Sequence, residues 1–156
     1  MRNLLNLLLT ITIFLTGCDV RKKVEVTGDG LPLQGTWELL SETKIEQNDT
    51  IFTPAADDQR MIKIINESHF SFLRHDLKQG KDTTNAQFVA GGGSYTLKGN
   101  EYTERLEFCN FREWENHTFT FNVEIRNDTL IQHGREKIEG LDIDRIIIEK
   151  YKRVTK

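Results

Sequence analysis

The stretch that decides the fold is GGGSYTLKGNEYTERL, residues 91–106. Two runs alternating between apolar and polar residues flank Gly99-Asn100, a dipeptide suited to the positive φ of a primed turn, so the segment reads as a β-hairpin. With Gly99-Asn100 as the loop, Leu97 opposes Tyr102, Tyr95 opposes Glu104 and Gly93 opposes Leu106, and these six side chains share one face. That face is mostly apolar and is expected to point inward. Gly91, Gly92 and Gly93 would weaken a flat strand, but they permit the bulge or sharp coil that closing a barrel requires.

Working outward, the period-two pattern rich in Ile, Val, Phe, Tyr and Thr continues from Gly35 to Tyr151 with no sustained helical spacing. Eight strands are predicted, at 36–45, 60–66, 69–76, 86–98, 101–108, 117–126, 129–135 and 143–153. Glu67-Ser68 and Asn127-Asp128 are, like Gly99-Asn100, short enough to be hairpin loops, so sequential strands should pair as a meander. The fold class expected is all-β, an eight-stranded up-and-down antiparallel barrel, with a two-sheet sandwich as the alternative. Around Asn127-Asp128, Ile125 opposes Leu130, Val123 opposes Gln132 and Phe121 opposes Gly134 on the inner face, which leaves His133 outward. Phe70, Phe72 and Arg74 share a face that is expected to be the inner one.

The N-terminus has a different character. Arg2 precedes an apolar run, Leu4 to Leu15, that is too short to cross a bilayer comfortably, and small residues follow it. This is the layout of an export signal. Its ending, Leu15-Thr16-Gly17-Cys18, resembles the lipobox of bacterial lipoproteins. The resemblance implies cleavage before Cys18 and acylation of that cysteine with three chains, palmitate among them, enough for stable anchoring. A plain secretory signal with a chance cysteine is the competing reading. The chain accordingly divides into a signal peptide (1–17), a lipidated N-terminus and tether (18–34) and a barrel domain (35–154). The location expected is the cell envelope, on a lipid-anchored membrane, the outer in preference to the inner.

Gly35-Thr36-Trp37 at the start of the first strand resembles the Gly-x-Trp opening of the lipocalin superfamily. Gly92-Gly93-Ser94-Tyr95-Thr96-Leu97 followed by Tyr102-Thr103-Glu104 resembles segments of bacterial lipocalin-like lipoproteins. The resemblance implies that Gly35 and Trp37 close the barrel's base and that a late basic residue, Arg153, packs over the tryptophan with cation–π character. It also implies a small apolar or amphipathic ligand inside. Two departures restrain the transfer: the chain stops after the last strand, where many animal lipocalins continue into a helix, and segment 46–58 is short for the lid of fatty-acid-binding proteins.

The inner faces nominate ligand-binding residues: Phe72, Arg74, Tyr95, Glu104, Phe121 and Gln132. Glu104 stands out, because a carboxylate on an apolar inner face needs a donor or cation, for which Tyr95 and Arg74 are the candidates. It either orients a ligand or forms an internal structural salt bridge. Phe111 and Trp114, between the fifth and sixth strands, either cap the barrel mouth or cover the core edge. The alternative to a binder is a barrel filled by its own side chains that serves as an interaction or accessory module.

Other chemistry is disfavoured. Without the signal the chain carries 20 basic and 24 acidic side chains, net −4, and no basic stripe, so nucleic acid is a poor partner. Arg21, Lys22 and Lys23 read as part of a solvated tether. The motifs of common hydrolases, metalloproteases and nucleotide-binding loops are missing, the carboxylates at Glu101, Glu104, Glu107, Glu113 and Glu115 read as solvated, and no catalysis is expected. His69 and His75 lie too far apart along one strand to share an ion, so neither a metal nor a cofactor is expected. With Cys18 acylated, Cys109 has no partner within the chain and reads as a small packed hydrophobe. No protein partner is nominated.

Overall fold

A computed structural model describes residues 30–155. The signal peptide, Cys18 and most of the tether lie outside the described residues. Nine strands follow in chain order: β1 (Gly35–Glu46), β2 (Asp49–Pro54), β3 (Gln59–Ile65), β4 (His69–Asp76), β5 (Phe88–Lys98), β6 (Glu101–Cys109), β7 (Thr118–Arg126), β8 (Thr129–Ile138) and β9 (Ile143–Arg153), with one 3-10 turn at Arg112–Trp114. From β3 to β9 each strand pairs antiparallel with the next, and β1 pairs with both β3 and β9. Eight strands, β1 and β3 to β9, therefore close into an up-and-down antiparallel barrel. The closing β1–β9 pairing excludes the two-sheet sandwich.

The hairpin registers follow the turn chemistry. Leu97↔Tyr102, Tyr95↔Glu104 and Gly93↔Leu106 pair around Gly99, whose φ is +62°. Ile125↔Leu130, Val123↔Gln132 and Phe121↔Gly134 pair around Asn127 and Asp128, with φ of 48° and 58°. Those two positive values are what a type I′ turn demands, and Asn and Asp are among the few residues that accept them at low cost. Inner and outer faces then alternate, so Val123 and Leu130 are fully buried while His133 faces solvent.

β2 is the element that departs from the eight-strand expectation. Segment 46–58, too short for a fatty-acid-binding-protein lid and assigned no strand from sequence, turns at Gln47 and Asn48 (φ 49° and 69°), and β2 pairs back on β1 from Ser41 to Glu46. Each of its six residues is exposed. It forms an arm beside the closed ring, reading poorly from sequence because neither of its faces is buried and no clean amphipathic alternation marks it.

Two bulges shape the wall. Between Gly92 and Gly93 the register shifts, so that β6 carries one extra residue opposite the glycine run. A Cβ at Gly93 would stand 1.9 Å from the Arg105 carbonyl oxygen, which is why no side chain is tolerated there. The second bulge falls between Leu39 and Ser41 on β1. It reverses the alternation: Trp37 and Leu39 face in, Leu40 is displaced towards solvent, and Glu42 and Lys44 then line the interior.

The barrel is solid at the end where β1 begins. Trp37, Tyr102, Val123, Leu130 and Tyr151 are fully buried there, with Ile65 and Phe70 nearly so. Each contributes roughly 2 kcal/mol of apolar burial. Arg153 packs over the Trp37 ring, its guanidinium carbon 4.0 Å from the ring centre. The same guanidinium donates to the carbonyl oxygens of Pro32 and Gln34 at 2.6 and 2.8 Å, and the Trp37 indole donates to Leu33 O at 2.8 Å. Gly35 sits at φ +137°, and a Cβ on it would come within 2.8 Å of Arg153, so backbone conformation and close approach both demand glycine. Leu33 is 2% exposed and belongs to the core, so residues 31–34, which read as the end of a spacer, pack as a plug under the barrel.

Candidate functional site

The other end is hollow. A cavity of about 480 Å³ opens above the solid half, within the range of about 300–1,000 Å³ usual for small-molecule sites. Phe72, Leu106, Phe121 and Ile147 supply apolar wall, Cys109 and Val89 add to it, and Phe111 and Trp114 stand at the mouth. Together these side chains form a cup at one end of the barrel. Trp114 is held there by packing on Phe119, ring centres 6.1 Å apart, with the Arg145 guanidinium 5.4 Å above its ring.

The cup's floor is polar. Lys63 on β3 forms an ion pair with Glu104 on β6 and donates to Gln132 Oε1 on β8 at 2.8 Å. Its ammonium also lies 5.3 Å from the centres of both the Phe70 and Tyr102 rings, so this lysine, only 3% exposed, has a partner for its charge on several sides. Beside it on β9, Glu149 accepts a hydrogen bond from the Tyr151 hydroxyl at 2.8 Å. Glu149 stands directly opposite Glu42 across the β1–β9 pairing. Burial pushes its carboxyl up to about 7, an effect that Lys63 and the Tyr151 hydrogen bond only partly offset and that Glu136 and Glu42 reinforce. Burial and the neighbouring Glu104 push the Tyr102 hydroxyl well above its ordinary value, and burial with Glu149 does the same to Tyr151.

The rim carries paired charge. Glu42 meets Lys44 at 2.8 Å and Arg74 at 3.5 Å. Burial opposes its ionisation, but these cations, helped by Arg145, outweigh burial and hold its carboxyl below the ordinary range. Glu136 meets Arg145 at 2.6 Å, yet burial still dominates and raises its carboxyl.

Of the residues nominated from sequence, Phe72, Arg74, Glu104, Phe121 and Gln132 all line this one cavity. Tyr95 does not: its ring packs on Tyr102 at 5.1 Å and its hydroxyl donates to the Asn66 carbonyl at 2.7 Å, below the floor. Neither Tyr95 nor Arg74 is the partner of Glu104. That partner is Lys63, and Arg74 turns instead to Glu42 and the Met61 sulfur. Lys63, Glu149, Glu42 and Lys44 were missed. For Lys63 a signal existed, because the Glu67-Ser68 loop places it opposite Phe72, whose inward facing was already expected. For Glu42 and Lys44 none existed short of locating the Leu40 bulge.

Cys109 is 8% exposed at the cavity wall, and burial, with Glu115 and Glu113 nearby, pushes its thiol up despite a backbone hydrogen bond from Phe111. It therefore has the character of a packed thiol. Among the described residues no group of three or more His, Cys, Asp or Glu side chains is placed to hold a metal ion. His69, His75 and His133 are exposed on the outer wall.

The geometry defines a closed antiparallel β-barrel with an internal cup at one end. No protein-family model matches the chain, and no curated protein matches it. Among solved structures it is similar to transferrin binding protein B of Haemophilus parasuis Hp5, a vaccine antigen in its Trp-176-Ala form, with a TM-score of 0.42 and 11% identity. The match covers 80% of this chain and 28% of that one, so the chain spans less than a third of that neighbour's length.

Proposed function

We propose that the protein is a lipocalin-like envelope lipoprotein, anchored through acylated Cys18, whose barrel binds a small amphipathic molecule without catalysing its conversion. The single observation that carries the binding reading is the cup itself. A filled barrel has no use for about 480 Å³ of space with apolar walls above a polar floor, whereas this combination of much apolar surface and few oriented polar groups is what small-molecule sites present. The anchor rests on the resemblance of Leu15-Thr16-Gly17-Cys18 to a lipobox and on the export layout before it. A second reading, an interaction or accessory module, is favoured by a different observation: Ile51 and Phe52 on the β2 arm are 55% and 64% exposed. Such apolar side chains on an exposed edge strand suit contact with another protein.

Native mass spectrometry on protein extracted from its own membrane tests both readings. A reproducible adduct of one amphiphile, lost when Leu106→Trp fills the cup, supports the binder. A ligand-free barrel, with a stoichiometric protein partner lost on Phe52→Asp, supports the module. The mass of the N-terminal peptide reads the anchor, which requires a triacylated Cys18.

A further inference from the structure

Resting on the binding reading above, we propose that the cup selects an amphiphile with a cationic head, which enters head first and sets an ammonium against the Glu149 carboxylate on the floor, its chain lying along Phe72, Leu106, Phe121 and Ile147. The argument is one of charge balance in a dry place. On the floor two carboxylates, Glu104 and Glu149, face a single cation, Lys63. Lys63 is fully occupied by Glu104, Gln132 and two aromatic rings. Glu149, 7% exposed, keeps the Tyr151 hydroxyl as its hydrogen-bond donor and forms no ion pair among the described residues. Its other neighbours worsen its position, since Glu42 lies directly across on β1 and Glu136 further along on β8. A buried carboxylate in this state either takes up a proton or gains a cation. The cavity provides room for that cation to arrive.

The rim is balanced, with Lys44, Arg74 and Arg145 against Glu42, Glu113 and Glu136. Those three cations are 33%, 23% and 22% exposed and each already has a carboxylate. Their attraction for an anionic head is screened by water and by these partners, whereas the floor's deficit acts at low dielectric. The deeper imbalance therefore decides which head is selected. A cationic ligand also competes with the proton for Glu149, so its affinity depends on pH. The titratable and charged groups facing that carboxyl are Glu42 from β1, Lys63 from β3, Glu104 from β6, Glu136 from β8 and Tyr151 on β9.

The test uses the full mature chain with Cys18→Ser in place of the acyl anchor, Nile red as a neutral reporter of the cup, and decylamine, decanol and decanoate as competitors below their micellar concentrations. The expected result is displacement by decylamine at concentrations at least about tenfold lower than by decanoate or decanol. With Glu149 titrating at about 7, the decylamine affinity should also rise about tenfold between pH 6 and pH 8, and Glu149→Gln should abolish both effects. Should Glu149→Gln fail to fold, the wild-type pH dependence measured with decyltrimethylammonium, a cation at every pH, carries the same information. Equal displacement by all three competitors, or preference for decanoate, overturns the cationic head and leaves the binding reading intact. A chain that takes up neither Nile red nor any competitor overturns the binding reading, and this proposal with it.

Discussion

Replacing Glu149 with glutamine should make the protein more stable at alkaline pH and leave it nearly unchanged at acid pH. Glutamine keeps the shape of a protonated glutamate and its ability to accept from Tyr151, but it cannot ionise. In the folded protein the Glu149 carboxyl lies at about 7 against an ordinary 4.5, because burial disfavours its charge. At pH below about 4.5 the carboxyl is protonated in both folded and unfolded chains and gives no pH dependence. Between about 4.5 and about 7 the unfolded chain releases a proton that the folded one retains, so stability falls as pH rises. Above about 7 the loss is complete. At about 1.4 kcal/mol per pH unit the whole interval amounts to roughly 3 kcal/mol, an upper figure for a buried group with an incompletely compensating cation nearby. Urea unfolding followed by tryptophan fluorescence at pH 5 to pH 9 reads the difference, and other titrating groups cancel between the two proteins. The variant should exceed wild type by less than about 1 kcal/mol near pH 5 and by up to roughly 3 kcal/mol at pH 8, with equal m-values. A variant less stable by the same amount at every pH would refute the reasoning, since it would mean that Glu149 is ionised in the fold and held by Lys63.

Arg153→Ala removes the cover of Trp37 together with the hydrogen bonds to Pro32 and Gln34. The expected cost is about 2 kcal/mol, accompanied by protease cleavage around residues 30–34, which wild type should resist. Gly93→Ala sets a methyl group against the Arg105 carbonyl oxygen, and the rigid backbone on both sides should make the loss exceed about 3 kcal/mol; a melting temperature within a few degrees of wild type would show that the bulge can yield. Cys109, buried and with its thiol raised, should react with iodoacetamide at pH 8 at least about a hundredfold more slowly in the native protein than in urea. Equal rates, measured by intact mass, would mean that the cavity wall opens freely.

The strongest local signals belonged to hairpins. At Gly99-Asn100 and Asn127-Asp128 the turn residues fix the loop, the period of two fixes every facing after it, and the resulting pairs recur in the structure. Strand content, the meander order and the inward positions of Phe72, Glu104, Phe121 and Gln132 were therefore legible by counting along the chain. Arg153 could be matched with Trp37 only through a resemblance, because 116 positions of chain separate them and no local rule connects the two.

Sequence alone determined what depends on neighbours along the chain: alternation, turn type and the faces of each hairpin. Tertiary structure decided what depends on closing the ring. The bulge at Leu40 is invisible in TWELLSETK, yet it carries Glu42 and Lys44 into the cup by shifting the alternation one place. On β9 the run of three isoleucines leaves the facing open, and only the simultaneous pairing of β9 with β1 and β8 turns Ile147, Glu149 and Tyr151 inward while leaving Ile146 38% exposed. The hollow half of the barrel arises in the same way. Whether inward side chains meet or leave space is set by stagger and twist around eight strands, which are collective properties of the closed wall that no single segment encodes.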